Sequence, residues 1–79
     1  MSYDRETHAR GVDHGWDAAN YADAYGVTQT QEEEAAARAA QYAEVDPSFD
    51  TSAYTTGFAE GWERFTEGQW QDGSPREQE

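Results

Sequence analysis

Two stretches of this chain follow one pattern, S-[YF]-D-x3-[HY]-x2-G-[VF]-x2-G-W-[DE], starting at Ser2 and at Ser48. The offset is a constant 46 residues, with five positions identical and four more similar. A match of that quality marks a degenerate structural repeat, so the two stretches are expected to adopt one local structure.

Each copy reads as the start of a helix. Asp4 and Asp50 are good N-caps, because a carboxylate accepts from the free N–H groups of the first turn and faces the positive end of the helix dipole. Tyr3 and Phe49 precede the caps, five positions before His8 and Tyr54, which is hydrophobic-staple spacing. The glycines need another reason, since glycine inside a helix costs roughly 1 kcal/mol against alanine. Gly11, Gly15, Ala18 and Ala22 share one face of the first copy, and Gly57, Gly61 and Gly68 form the matching line of the second, interrupted by Arg64. Such lines let another helix approach closely. Acidic and basic residues within the same turns (Asp13, Asp17, Glu60, Glu63 and Arg64) exclude a membrane dimer, so the glycines are expected to seat a neighbouring helix in water.

Helix 1 is predicted over about 5–25, with Gly26 as its left-handed stop. Thr30 caps helix 2, predicted over 31–44, with Glu33 as capping-box partner and Glu32, Glu33 and Glu34 in its first turn. Ala36, Ala39, Ala40 and Ala43 form its expected buried stripe, with Ala35 and Tyr42 at the margins, a thin surface suited to the glycine lines. Pro47 breaks the helix. Helix 3 is predicted over 51–71, with Tyr54, Phe58, Gly61, Trp62 and Phe65 facing inward and Gly73 and Pro75 ending it. Strand signals are nearly absent. The expectation is an all-α, three-helix domain over 1–73, helices 1 and 3 repeating around helix 2, and a flexible tail over 74–79.

The core is short of bulk. There is no Leu or Ile, only three Val, and thirteen Ala and eleven aromatics must fill it. A 79-residue domain buries only about 60 per cent of its unfolded surface, so a homodimer or another partner would relieve the shortage. Trp16 and Trp62 recur by the repeat and are expected as core or dimer-interface anchors.

Charge is the strongest functional signal. Seventeen acids stand against five Arg and no Lys, a net charge of −12 spread almost evenly along the chain. Such a surface repels nucleic acid and anionic membrane, which excludes direct binding to either. The start of the chain lacks the features of a signal peptide, so the expected location is the cytoplasm, that of the host if the protein is phage-encoded.

No catalytic set is legible. His8 and His14 lie six positions apart, about 240° around a helix, and cannot share one metal from it. They read as interface or solvated histidines. Ser2, Ser48 and Ser52 sit at helix starts, and no nucleophile elbow or phosphate-cradling loop occurs. With no cysteine there are no thiolate sites, and no metal or cofactor is expected. Glu60, Glu63 and Glu67 line one side of helix 3, as a solvated face, a divalent-ion surface or an imitation of successive phosphates. Trp70 has no counterpart in the first copy and is a candidate partner anchor.

These features point to a non-enzymatic inhibitor or regulator, in the manner of phage counter-defence proteins and DNA mimics, that meets a basic nucleic-acid-binding protein through Asp13, Asp17, Glu60, Glu63, Glu67 and Trp70. Two alternatives compete. Halophile-style acidity on a helical adaptor explains the even charge, and a homo-oligomeric structural or virion component explains the thin core.

Overall fold

The computed structural model describes residues 4–28 and 30–76. They form three helices, α1 (Arg5–Tyr25), α2 (Gln31–Val45) and α3 (Thr51–Thr66), and no strands. The predicted caps are in place. Asp4 accepts from the Glu6 and Thr7 N–H groups and Asp50 from the Ala53 N–H, while Thr30 and Glu33 close a reciprocal capping box. Gly26 (φ 68°) ends α1 in the left-handed conformation, where glycine carries no Cβ penalty. The staple at Phe49 and Tyr54 is made, with ring centroids 5.6 Å apart. Its counterpart at Tyr3 lies outside the described residues.

The glycine lines meet each other. A Cβ on Gly11 would overlap the Tyr54 carbonyl oxygen, and one on Gly57 would overlap that of His8. A Cβ on Gly15 would strike the Phe58 carbonyl, and one on Gly61 that of Val12. Partner numbers rise together, so α1 and α3 run parallel, and each contact maps onto another when the copies are exchanged at the 46-residue offset. This is the self-complementary pattern of a two-fold homodimer, made within one chain. The helix starts lie side by side as well, the Asp4 N–H donating to Asp50 Oδ2 at 3.3 Å. Backbones this close allow Cα–H···O contacts and remove both main chains from water without bulky side chains.

The arrangement corrects one expectation. Helices 1 and 3 do not repeat around helix 2. They pack on each other, and α2 returns the chain antiparallel, lying against α3 and barely touching α1. The alanine face of α2 therefore meets aromatic rings rather than glycines. Ala35 and Ala39 are buried with Ala18, Tyr54 and Phe58, whereas Ala36 and Ala40 are exposed. The buried stripe is turned by about one residue from the predicted one, because the rings of α3 stand up on one side of the helix pair. Tyr54 and Phe58 are wholly buried and are the largest side chains so enclosed among the described residues.

The end of α3 differs too. The helix stops at Thr66, not near 71, because Gly68 (φ 79°) adopts the left-handed conformation. The Gly68 N–H donates to Phe65 O (3.1 Å) and the Gln69 N–H to Arg64 O (2.8 Å), a Schellman closure. Gly68 is thus a helix stop and not a member of the packing line. Residues 67–76 fold back as a turn in which Trp70 N–H donates to Ser74 O (2.8 Å) and Arg76 N–H to Gly68 O (2.8 Å). The Arg76 guanidinium lies over the Phe65 ring, 4.5 Å from its centroid, and also covers Trp16. Residues 74–76, expected in a flexible tail, are therefore held against the helix pair; 77–79 lie outside the described residues.

The shared glycine contact predicts an inverted response to substitution. Gly15→Ala and Gly61→Ala each add about 1 kcal/mol of helix propensity, yet the new methyl has backbone in its place. Each variant should lose at least about 2 kcal/mol in urea unfolding followed by circular dichroism, the scale of core overpacking. Unchanged or raised stability would mean the backbones do not touch.

Candidate functional site

The residues expected to meet a partner are divided among α1, α3 and the turn that follows α3. Asp13 and Asp17 are exposed one turn apart on α1, Glu63 is exposed on α3, and Glu67 is exposed at its C-cap. Glu60 behaves differently. It is half-buried and accepts from His8 Nε2 (3.0 Å) while also pairing with Arg64, four residues on. Its charge is matched inside the protein, so it belongs to the α1–α3 junction more than to a free acidic face. Arg64 further donates to the Gln71 carbonyl, tying the C-terminal turn to the same junction. Asp13, Glu60, Arg64 and Asp72 border a shallow depression there. Asp17 lines a different hollow, a cleft between α1 and α2.

Trp70 is 46 % exposed but not free, because its ring stacks on Trp16 at 5.5 Å between centroids. Trp16 is buried, and its indole N–H donates to the Gln69 carbonyl at 2.6 Å. Trp62, the counterpart in the second copy, is half-buried against Phe58 and lines the α1–α2 cleft. One repeated tryptophan is therefore covered by the C-terminal turn, and the other looks into an open space. Gly11, Gly15, Gly57 and Gly61 are all occupied within the chain and offer nothing to a second copy.

The histidines are both partly buried and are not paired with each other. His8 joins Glu60. His14 Nδ1 lies 2.7 Å from the hydroxyl of buried Tyr54, with the ring edge-on to Tyr54 and stacked on Tyr42. The His8–Glu60 contact joins the two repeat copies and could not be read from either alone. The Glu60–Arg64 pair had a signal, the i,i+4 spacing. The His14–Tyr54 contact had none.

About half of the acids among the described residues are left over from the fold. Among the described residues, only Glu34 and Glu60 take part in ion pairs, with Arg38, and with Arg64 and His8. Asp4, Asp46, Asp50 and Asp72 accept from nearby N–H or hydroxyl groups as caps and turns. Hydrogen bonds from Thr7 hold the Asp4 carboxyl below the usual range, and bonds from Ser74 do the same for Asp72. The side-chain carboxylates of Glu6, Asp13, Asp17, Asp23, Glu32, Glu44, Glu63 and Glu67 are exposed with no hydrogen-bond or ion-pair partner among the described residues. Among the described residues there is no cluster of three or more metal-ligating side chains, and no helix is long and apolar enough to cross a membrane. Comparison with protein families, curated proteins and solved structures finds no match to the chain.

His14 supplies a pH test of this geometry. Burial, and then the positive charges of Arg38 and Arg10, hold its imidazole below the ordinary value of 6.5. The fold prefers the neutral ring, so this contribution to stability is whole above pH 6.5 and is lost as pH falls through the lowered value. The His14 ring protons should titrate with a midpoint below 6.5 by NMR. The stability advantage of the wild type over His14→Gln should also shrink on acidification. A midpoint at or above 6.5 would contradict the buried contact with Tyr54.

Proposed function

We propose that the chain is a non-enzymatic acidic module that inhibits or regulates a basic nucleic-acid-binding protein by occupying its Lys- and Arg-lined groove, as DNA mimics and phage counter-defence proteins do. The observation that carries this reading is the surplus of carboxylates. Among the described residues the fold pairs two acids with its own cations and uses a few as caps and in turns, while others stand exposed without partners, in a chain of net charge −12. Concentrating so much like charge on a small domain destabilises it by self-repulsion, and a positive partner removes that repulsion on binding. Asp13, Asp17, Glu63 and Glu67 are the acids free to act, with Glu60 as the support that fixes α3 against α1.

A second reading has one observation in its favour. The charge is nearly even along the chain, which suits halophilic acidity on a helical adaptor better than a focused mimic. The homo-oligomeric component is the weaker alternative, because the glycine lines that would have served a dimer are already filled by the chain itself.

Competition binding at two salt concentrations separates the readings. At 0.1 M KCl the protein should displace duplex DNA from immobilised helix-turn-helix domains with basic grooves, and 0.5 M KCl should abolish most of that binding. Changing Asp13, Asp17, Glu63 and Glu67 together to amides should weaken binding by about tenfold or more. A chain that is unfolded at 0.1 M KCl and becomes helical only in molar KCl would favour the halophilic reading and remove the main support for the regulator.

A further inference from the structure

We propose that the cleft between the second half of α1 and the start of α2 binds the guanidinium group of an arginine side chain presented by a protein partner. The inference rests on the regulator reading and narrows it from a diffuse acidic surface to one pocket. The cleft exists because α1 packs on α3 and leaves α2 almost out of reach. Ala18 and Ala22 are too small to close the gap, and a hollow of about 420 Å³ remains, within the usual range for small-ligand sites.

Its lining suits a flat cation. Tyr21 and Trp62 contribute aromatic rings, and Asp17 and Glu34 contribute carboxylates. Arg38 is the only cation in the lining, and its charge is engaged by Glu34 at 2.8 Å while its guanidinium sits over Phe58. Two acids against one base leave the cleft at a formal charge of −1. Asp17 is exposed and has no hydrogen-bond or ion-pair partner among the described residues.

The fold itself indicates which cation fits. Trp16 and Trp62 are counterparts in the repeat. Over Trp16 and Phe65 the chain places its own guanidinium, that of Arg76. Over Phe58 it places Arg38. Tyr21 and Trp62 carry no such cover among the described residues, and Tyr21 is 60 % exposed. An incoming arginine would complete there what Arg76 does at the other tryptophan. Its plane stacks on the rings and its fork meets the Asp17 carboxylate, two contacts that a lysine ammonium makes less well. The neighbouring pair of exposed rings, Tyr21 and Tyr25, 4.6 Å apart, gives the arginine stem or an adjacent residue an apolar rest.

The test is an NMR titration of the full chain, labelled with nitrogen-15, with N-acetyl-arginine amide at 0.1 M KCl. The citrulline and lysine analogues serve as controls, citrulline being the neutral isostere. The expected result is saturable shifts confined to the amides of 17–27 and of 34–38 and to the Trp62 indole, with binding at least about tenfold stronger for arginine than for citrulline. Asp17→Asn and Tyr21→Ala should each weaken binding by about three- to tenfold with unchanged melting, since both side chains are exposed. Equal response to citrulline, shifts scattered over all exposed acids without saturation, or indifference to Asp17→Asn would overturn the proposal. The two levels fail separately. A basic DNA-binding domain whose affinity depends on Asp13, Glu63 and Glu67 but not on Asp17 would leave the regulator reading standing without the cleft. Saturable arginine binding with no affinity for any basic domain would leave the cleft and remove the regulator.

Discussion

The backbone contact between α1 and α3 is the constraint from which the rest of the structure follows. Four glycines each bring a partner carbonyl oxygen into the space of a missing Cβ. Parallel helices so close have little room for side chains between them, which relieves a chain without Leu or Ile of the need for a thick core. The same closeness dictates the connection. Parallel neighbours cannot be joined by a tight turn, so the chain must travel back the length of the pair, and α2 is that return path. With three helices and no further layer, each has an exposed side, which is where the unpaired acids among the described residues reside.

Local features were legible where they depend on a few adjacent residues. The caps at Asp4, Thr30 and Asp50, the stop at Gly26 and the break at Pro47 are all short-range chemistry, and each helix begins where its cap predicts. The repeat identified the glycines as contact residues but not what they contact. A line of glycine is equally compatible with an alanine face and with another line of glycine. What decides between them is the reciprocity of the two copies, because identical surfaces satisfy each other's carbonyls pairwise along a parallel pair. Gly68 was misleading because its spacing continues the line, while its position before a polar turn makes it a terminator. The fold-back of 67–76 had no local signal, since Arg76 is held by rings that arrive from two different helices.

The candidate site was less legible than the fold for the same reason. Acids on a helix face are visible in the sequence, but whether they are free depends on cations elsewhere. Glu60 looked equivalent to Glu63 and Glu67, yet His8 reaches it from the other repeat copy and Arg64 from the next turn. With only five arginines in the chain, each placement matters. Arg38, Arg64 and Arg76 are all drawn into the fold, onto carboxylates or aromatic faces, and little positive charge is left to balance the surface.

The repeat is finally instructive where it breaks. A perfect two-fold would treat Trp16 and Trp62 alike, but only the second copy is followed by a turn that folds back on the pair, and that turn covers Trp16. The first copy instead runs into the connection to α2, so its helix continues to Tyr25 and its small residues Ala18 and Ala22 stand opposite Trp62. One end of the pseudo-symmetric pair is closed by its own aromatic and guanidinium groups, and at the other the one guanidinium, that of Arg38, is engaged by Glu34 and Phe58 and leaves Tyr21 and Trp62 uncovered among the described residues. Nothing in the packing of α1 on α3 requires this difference, since the glycine contacts are satisfied equally in both directions. The asymmetry follows from chain connectivity, and it leaves an open, anionic and aromatic cleft at one end of the helix pair.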